Sequence, residues 1–168
     1  MPNNPPQAFT VVFLNSSIAP DHFLLLKRSA DRHFAPGWYT GIGGKVELEE
    51  SPSQAAYREL KEEAGIEDIH LQEFAQVIVN KHKALHYYFG SLATLKVPAC
   101  NEGELEWIIQ EHLLEKPIIP TTQLFLQEWI KRDFSTTKPW TMWMEGASDP
   151  TGLTKNPQIT IVKEGLEV

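Results

Sequence analysis

The segment from Gly44 to Ile66 constrains this chain more than any other. It sets a glycine-led acidic loop, Gly44-Lys45-Val46-Glu47-Leu48-Glu49-Glu50, in front of a short helix rich in carboxylates. Ser51 is a natural N-cap, Pro52 suits a first helical turn and Gly65 suits a left-handed stop, so the spacing predicts a helix over 52–64. On that helix Glu59, Glu62 and Glu63 fall at i, i+3 and i+4 and share one face. Like charges so placed repel and require cations. Arg58, four residues before Glu62, is one such cation, and an all-oxygen donor set selects hard divalent ions such as Mg²⁺ or Mn²⁺. The opposite face, Ala55, Ala56, Leu60 and Ala64, is small and apolar, so the helix can lie close against a sheet. Gly43 and Gly44 allow backbone to approach a metal or phosphate where a Cβ would intrude.

The remaining pattern is α/β. Phe9 to Leu14 and Phe23 to Lys27 read as strands around a turn at Asn15 to Asp21, followed by a polar loop from Arg28 to Trp38. Beyond the acidic helix, His70 to Val79 and Ala84 to Leu95 read as two long strands around Asn80 to Lys83, and Leu105 to Ile109 as a short one. Thr122 to Arg132 carries Leu124, Phe125 and Trp129 at helical spacing, with Thr121 as a cap, and should cover the sheet face opposite the first helix. Lys138 to Glu145 and Gln158 to Lys163 read as a hairpin joined by a long loop bearing Asp149, Pro150, Gly152 and Asn156. Trp140, Trp143 and Met144 in that hairpin could close over a base, though aromatics at strand spacing chiefly pack. Three segments result: 1–8 as a disordered or extended N-terminus, 9–134 as the principal domain, and 135–168 as a hairpin extension packed on it.

Composition bounds the function. With 168 residues, 42% of them hydrophobic, the chain can bury one good core. A net charge of -7 provides no general basic surface for duplex nucleic acid, so a polyanionic partner must be met by bound metal and a few local cations. That favours a small-molecule nucleotide. Cys100 is the only cysteine, which rules out an intrachain disulfide, and the first eight residues do not read as a signal peptide. With no apolar run long enough to span a bilayer, a cytoplasmic location without a membrane partner is expected.

Gly44, Glu50, Arg58, Glu59, Leu60, Glu62, Glu63, Gly65 and Ile66 fill every fixed position of the Nudix box, so the chain resembles the Nudix hydrolase family. Chance would produce such a match on the order of once in 10⁹ windows or fewer. The resemblance implies a Nudix α/β/α sandwich with a mixed central sheet, here with the C-terminal β-hairpin extension. It also implies Mg²⁺-dependent hydrolysis of a nucleoside diphosphate linked to another group, with Mn²⁺ as an alternative ion. Gly43, Glu59, Glu62, Glu63 and Glu104 would hold the metal, Glu104 being taken from the acidic loop before a later strand and Glu102 being the second choice. Glu62 is the first choice for general base, with Glu59 and Glu104 behind it, while Glu50 and Arg58 orient the ligands and Lys45 and Gly44 meet phosphate.

Substrate identity must come from outside the box. The stretch Lys27 to Ala35 is similar to the corresponding loop of the MutT-like branch, which implies nucleotide contacts for Arg28 and His33. Gln123 is the nearest candidate for an amide presented to a base edge. A (d)NTP such as dGTP or 8-oxo-dGTP, cut to NMP and pyrophosphate, is the resulting expectation. Against the 8-oxo-dGTPase branch, however, Thr40 stands where that branch carries asparagine, and Thr121 and Thr122 where it carries aspartates. Other readings stay open: ADP-ribose, dinucleoside polyphosphate, coenzyme A or capped RNA as substrate, or a catalytically silent nucleotide sensor. The family resemblance also makes a homodimer an expectation.

Overall fold

The computed structural model describes residues 4–147 and 158–166. Its strands are β1 (Gln7–Ser16), β2 (Ala19–Arg28), β3 (Tyr39–Thr40), β4 (Gln72–Val79), β5 (Lys83–Leu92), β6 (Gly103–Ile109), β7 (Trp140–Ala147) and β8 (Gln158–Leu166). Two α-helices, α1 (Pro52–Ala64) and α2 (Pro120–Lys131), and a 3₁₀ turn at Gln110–Glu115 complete the order. The strands form one mixed sheet in the order β3-β2-β1-β5-β4-β7-β8, with β6 on the other edge of β2. The β1–β5 and β4–β7 pairs are parallel and the other strand pairs antiparallel.

The site is positioned by a split in the first hairpin. Near their turn, β1 and β2 pair directly, Leu14 facing Leu24 and Asn15 facing Phe23. Farther away the strands part, and the segment leading into the acidic loop fills the gap. Thr40 pairs with Leu26 of β2, while Ile42 and Val12 exchange backbone hydrogen bonds of 2.6 and 3.1 Å on the β1 side. Thr10 donates to the Gly44 carbonyl at 2.8 Å, continuing the pairing. This wedge explains Gly43, because a Cβ there would lie 1.9 Å from the Thr10 carbonyl oxygen.

Strand alternation divides the core in two. Val12, Leu14, Leu24, Leu26 and Tyr88 point to one face and meet Ala56, Leu60 and Ala64 of α1. Phe13, Phe23, Leu25 and Tyr87 point to the other, where Phe125, Leu126 and Trp129 of α2 cover them. The predicted α/β/α sandwich with a mixed sheet is therefore observed. Trp140, Met142 and Met144 are buried in the α2-side core, so these tail side chains pack. The long loop expected between β7 and β8 lies outside the described residues.

Local signals hold at α1 and fail at α2. Ser51 caps α1 by accepting from the Gln54 N–H at 3.1 Å, Gln54 returns the bond at 2.8 Å, and Gly65 ends the helix with φ 62°. Thr121 does not cap α2: the N-cap is Ile119 and makes no side-chain cap bond. Pro120 at the first helical position brings no N–H of its own, which moves the start before both threonines. β5 stops at Leu92, short of Leu95, and β4 starts at Gln72, after His70.

Candidate active site

Arg58 organises the loop and helix into one unit. Its Nε and Nη2 grip the two Glu50 oxygens at 2.7 and 3.1 Å, and Nη2 also reaches the Lys45 carbonyl at 3.1 Å. Nη1 donates to Glu59 at 3.0 Å and to Glu62 at 3.1 Å. Glu50 in turn accepts the Glu47 N–H at 2.9 Å. These charge-assisted bonds tie the acidic loop to α1. They raise the Arg58 pKa, and the Arg58 hydrogen bonds hold Glu50 below the usual carboxylate range.

Glu59 and Glu63 on the helix are pushed the opposite way. Burial raises Glu59, against the lowering effect of Arg58. Glu59 lies directly beneath Gly44, where an added Cβ would come 2.3 Å from Glu59 Oε1. Glu63 is 6% exposed, and its pKa is pushed up to about 8 by burial first and then by the charges of Glu102 and Glu59. In its protonated form Glu63 hydrogen-bonds to Glu59, while the Gly43 backbone N–H partly opposes the shift. Among the described residues Glu63 Oε2 is buried with no hydrogen-bond partner.

An orphaned carboxylate oxygen beside two further carboxylates fits a hard divalent cation, since a cation would meet the unpaired acceptor and relieve the repulsion. The donors are all oxygen, as Mg²⁺ or Mn²⁺ demands. Among the described residues no three acidic, imidazole or thiol groups form a ready-made cage. Arg58 accounts for this by drawing Glu59 and Glu62 toward itself.

The loop glutamate requires a correction. Glu104 lies on β6 opposite Lys27, and Leu105 and Trp107, one and three positions after it, pack against the core beneath α1. Alternation therefore turns Glu104 to the other face, where it acts electrostatically on Tyr39. Glu102, just before the strand, adds its charge to the burial that raises Glu63, ahead of Glu59. Glu102 also forms an ion pair with Arg32, a residue that the sequence pattern did not single out.

The predicted substrate residues separate. Arg28 shares its strand face with Leu24 and Leu26, and both Glu63 and Glu102 act on its charge. It donates to the Phe34 carbonyl at 2.8 Å and lies over the Phe34 ring. Burial is the largest cause of its lowered pKa, followed by Arg32. Lys45 is exposed at the loop. His33 is exposed, and Gln123 lies in the first turns of α2; among the described residues neither makes a hydrogen bond or ion pair with the carboxylates. Thr122, beside Gln123, comes within 3.5 Å of Thr40 Oγ1. On that side Tyr39 donates to Glu106 at 2.7 Å and Lys116 to the same carboxylate at 2.9 Å, a network that sequence reading missed.

With its match to the NUDIX domain, the sandwich carrying these carboxylates is a hydrolase of phosphorus-containing anhydrides. Residues 4–129 match the NUDIX domain, and the chain belongs to that family. Among solved structures, a NUDIX hydrolase from Nitrosomonas europaea is similar with TM-score 0.68 at 17% identity, over 84% of this chain and 80% of the other. The MutT protein from Bacillus halodurans matches with TM-score 0.62 at 20% identity, over 96% of this chain and 97% of its own. The dihydroneopterin triphosphate pyrophosphohydrolase of E. coli matches with TM-score 0.59 at 17% identity, over 77% and 99%.

Proposed function

We propose that the protein is a Mg²⁺-dependent pyrophosphohydrolase of the cytoplasmic nucleotide pool, cutting a (d)NTP such as dGTP or 8-oxo-dGTP to NMP and pyrophosphate. The observation that carries this reading is the unpartnered Glu63 oxygen within the Glu59, Glu63 and Glu102 group, beside the Arg58-held Glu62. Glu59, Glu62, Glu63 and Glu102, with the Gly43 carbonyl, would hold Mg²⁺ or Mn²⁺. When bound, the ion would neutralise phosphate charge and lower the pKa of a nearby water.

The chain's own groups supply the rest. Glu62, 60% exposed and hydrogen-bonded to Arg58, would take a proton from the attacking water as the water oxygen bonds to the α-phosphorus. The bridging P–O bond breaks and pyrophosphate leaves with the bond's electron pair. Arg28 and Lys45 balance charge on the phosphates, and Arg58 keeps the loop carboxylates in register with the helix. His33 and Gln123 supply contacts to the nucleoside in this reading. Thr40, Thr121 and Thr122 argue for a base preference broader than that of the 8-oxo-dGTPase branch, because hydroxyls there replace an amide and two carboxylates. The single cysteine fits a reducing location, and among the described residues no helix is long and apolar enough to cross a membrane.

A panel of canonical and oxidised nucleoside triphosphates and nucleotide conjugates, assayed with Mg²⁺ or Mn²⁺ for pyrophosphate and phosphate, tests the reading. Turnover of dGTP and 8-oxo-dGTP at similar kcat/KM is expected. Hydrolysis confined to ADP-ribose or coenzyme A would replace the substrate assignment, and metal-dependent binding without turnover would make the protein a sensor.

A further inference from the structure

Three segments meet beside the carboxylates. Ser29 of the β2–β3 loop donates to the Glu102 carbonyl at 3.1 Å. Asn101 donates from its side chain to the Glu62 carbonyl at 3.0 Å and from its backbone to the Glu63 carbonyl at 3.2 Å. Gly103 approaches β2 so closely that a Cβ would lie 2.0 Å from the Lys27 carbonyl oxygen. The backbone around Glu102 is thus fixed between the last turn of α1 and the β2–β3 loop. Its side chain lies between two neighbours, the Arg32 guanidinium it pairs with and the Glu63 carboxyl it repels.

Arg32 differs from the other cations of the site. Arg58 is committed to Glu50, Glu59, Glu62 and the Lys45 carbonyl, and Arg28 gives its Nε to the Phe34 carbonyl. Arg32 pairs with Glu102, and its side chain is 33% exposed. It sits near enough to Arg28 to depress that residue's pKa, so two guanidiniums converge on one carboxylate. A guanidinium donates to carboxylate and phosphate oxygens alike, so a phosphate oxygen can replace the Glu102 oxygen that faces Arg32 Nη2.

We propose that Arg32 is a substrate-positioning residue that passes from Glu102 to a phosphate of the nucleotide as Glu102 turns to the metal-binding carboxylates. This rests on the pyrophosphohydrolase reading above. The exchange links two events that otherwise compete: nucleotide removes Arg32 from Glu102, and the freed Glu102 completes the acidic set. Arg32 therefore restrains the metal site until a polyphosphate arrives.

The test measures two affinities separately: Mn²⁺ alone by electron paramagnetic resonance, and α,β-methylene-dGTP alone in EDTA by calorimetry. Arg32→Ala is expected to tighten Mn²⁺ and weaken the analogue, each by about fivefold. Glu102→Gln is expected to do the reverse, weakening Mn²⁺ and tightening the analogue. Arg32→Lys, which keeps the charge but loses the fork, should fall between wild type and Arg32→Ala. A merely structural role for the pair would move both affinities in the same direction. Movement in the same direction, or changes below about twofold in both variants, would overturn the exchange, given the usual size of coupling. A wild type that binds neither Mn²⁺ nor the analogue would overturn the pyrophosphohydrolase reading along with it.

Discussion

The sheet face beneath α1 is packed with alanines and leucines around carboxylates, whereas the face beneath α2 is packed with rings. Phe125 stacks on Tyr87 at 3.6 Å and on Trp140 at 5.2 Å, and Trp129 contacts Phe13, Phe23 and Phe74. Under α1, by contrast, Gly43 and Gly44 leave no room for even one more carbon. A ring core derives its stability from buried area, and many combinations of rings provide it. A carboxylate cluster instead needs particular atoms at particular places, and it is held against its own repulsion by Arg58 and by the packing around it. The α2 face thus carries stability, while the α1 face gives up stability to hold carboxylates that the proposed function assigns to chemistry.

The sharpest way to break this contrast is to substitute once on each face. Glu62→Gln should lower kcat about 10³-fold with the melting temperature within a few degrees of wild type, read by pyrophosphate release and thermal unfolding. Phe125→Ala should do the converse. It should cost about 3 to 5 kcal/mol in urea unfolding while kcat per folded molecule stays near wild type. A Phe125→Ala protein that keeps its stability but loses turnover would show that the ring face takes part in the chemistry.

A pH series sharpens the contrast further. Glu63 is raised in the folded protein from 4.5 to about 8, so the buried protonated form favours folding. That contribution is fully present below about pH 4.5 and is lost as pH rises through about 8. Metal-free protein should accordingly be less stable at pH 8.5 than at pH 6 by about 2 kcal/mol. Glu63→Gln should flatten that slope, and added Mg²⁺ should restore stability most at high pH. A Glu63→Gln protein whose pH profile matches wild type would remove Glu63 as the source.

The smallest expected effect is also informative. Glu104→Gln should leave kcat within about twofold of wild type, because its side chain lies across the sheet from the carboxylates, whereas Glu102→Gln should lower turnover by about tenfold or more. Equal losses in the two variants would mean that β6 does not hold the register described here.

The fate of these two glutamates shows what the sequence could tell. The helix of the box and its Arg58–Glu62 bond were legible because the spacing is helical and local: Ser51, Pro52, Arg58, Glu62 and Gly65 act within one helix and the loop before it. The sandwich was legible for a related reason, since alternation in β1 and β2 sorts each side chain to a face without knowledge of its partner. Glu104 was misplaced although Leu105 and Trp107 carried the needed signal, an apolar pair at strand spacing that turns the residues between and before them away from α1. Arg32 had no such signal. Its pairing joins two loops some seventy positions apart, which only the β2–β6 register brings together. The Tyr39, Glu106 and Lys116 network was hidden for the same reason. The start of α2 was misread because Pro120 outweighs Thr121 as a local signal.

In the proposed function the α1 face breaks a phosphoanhydride bond so that pyrophosphate leaves in one piece. Phosphorus NMR of dGTP incubated with the protein and Mg²⁺ observes this directly. The account predicts dGMP and pyrophosphate in equal amounts, with no turnover in EDTA and about 10³-fold less with Glu62→Gln. Release of dGDP and orthophosphate, or turnover that survives both EDTA and Glu62→Gln, would contradict it.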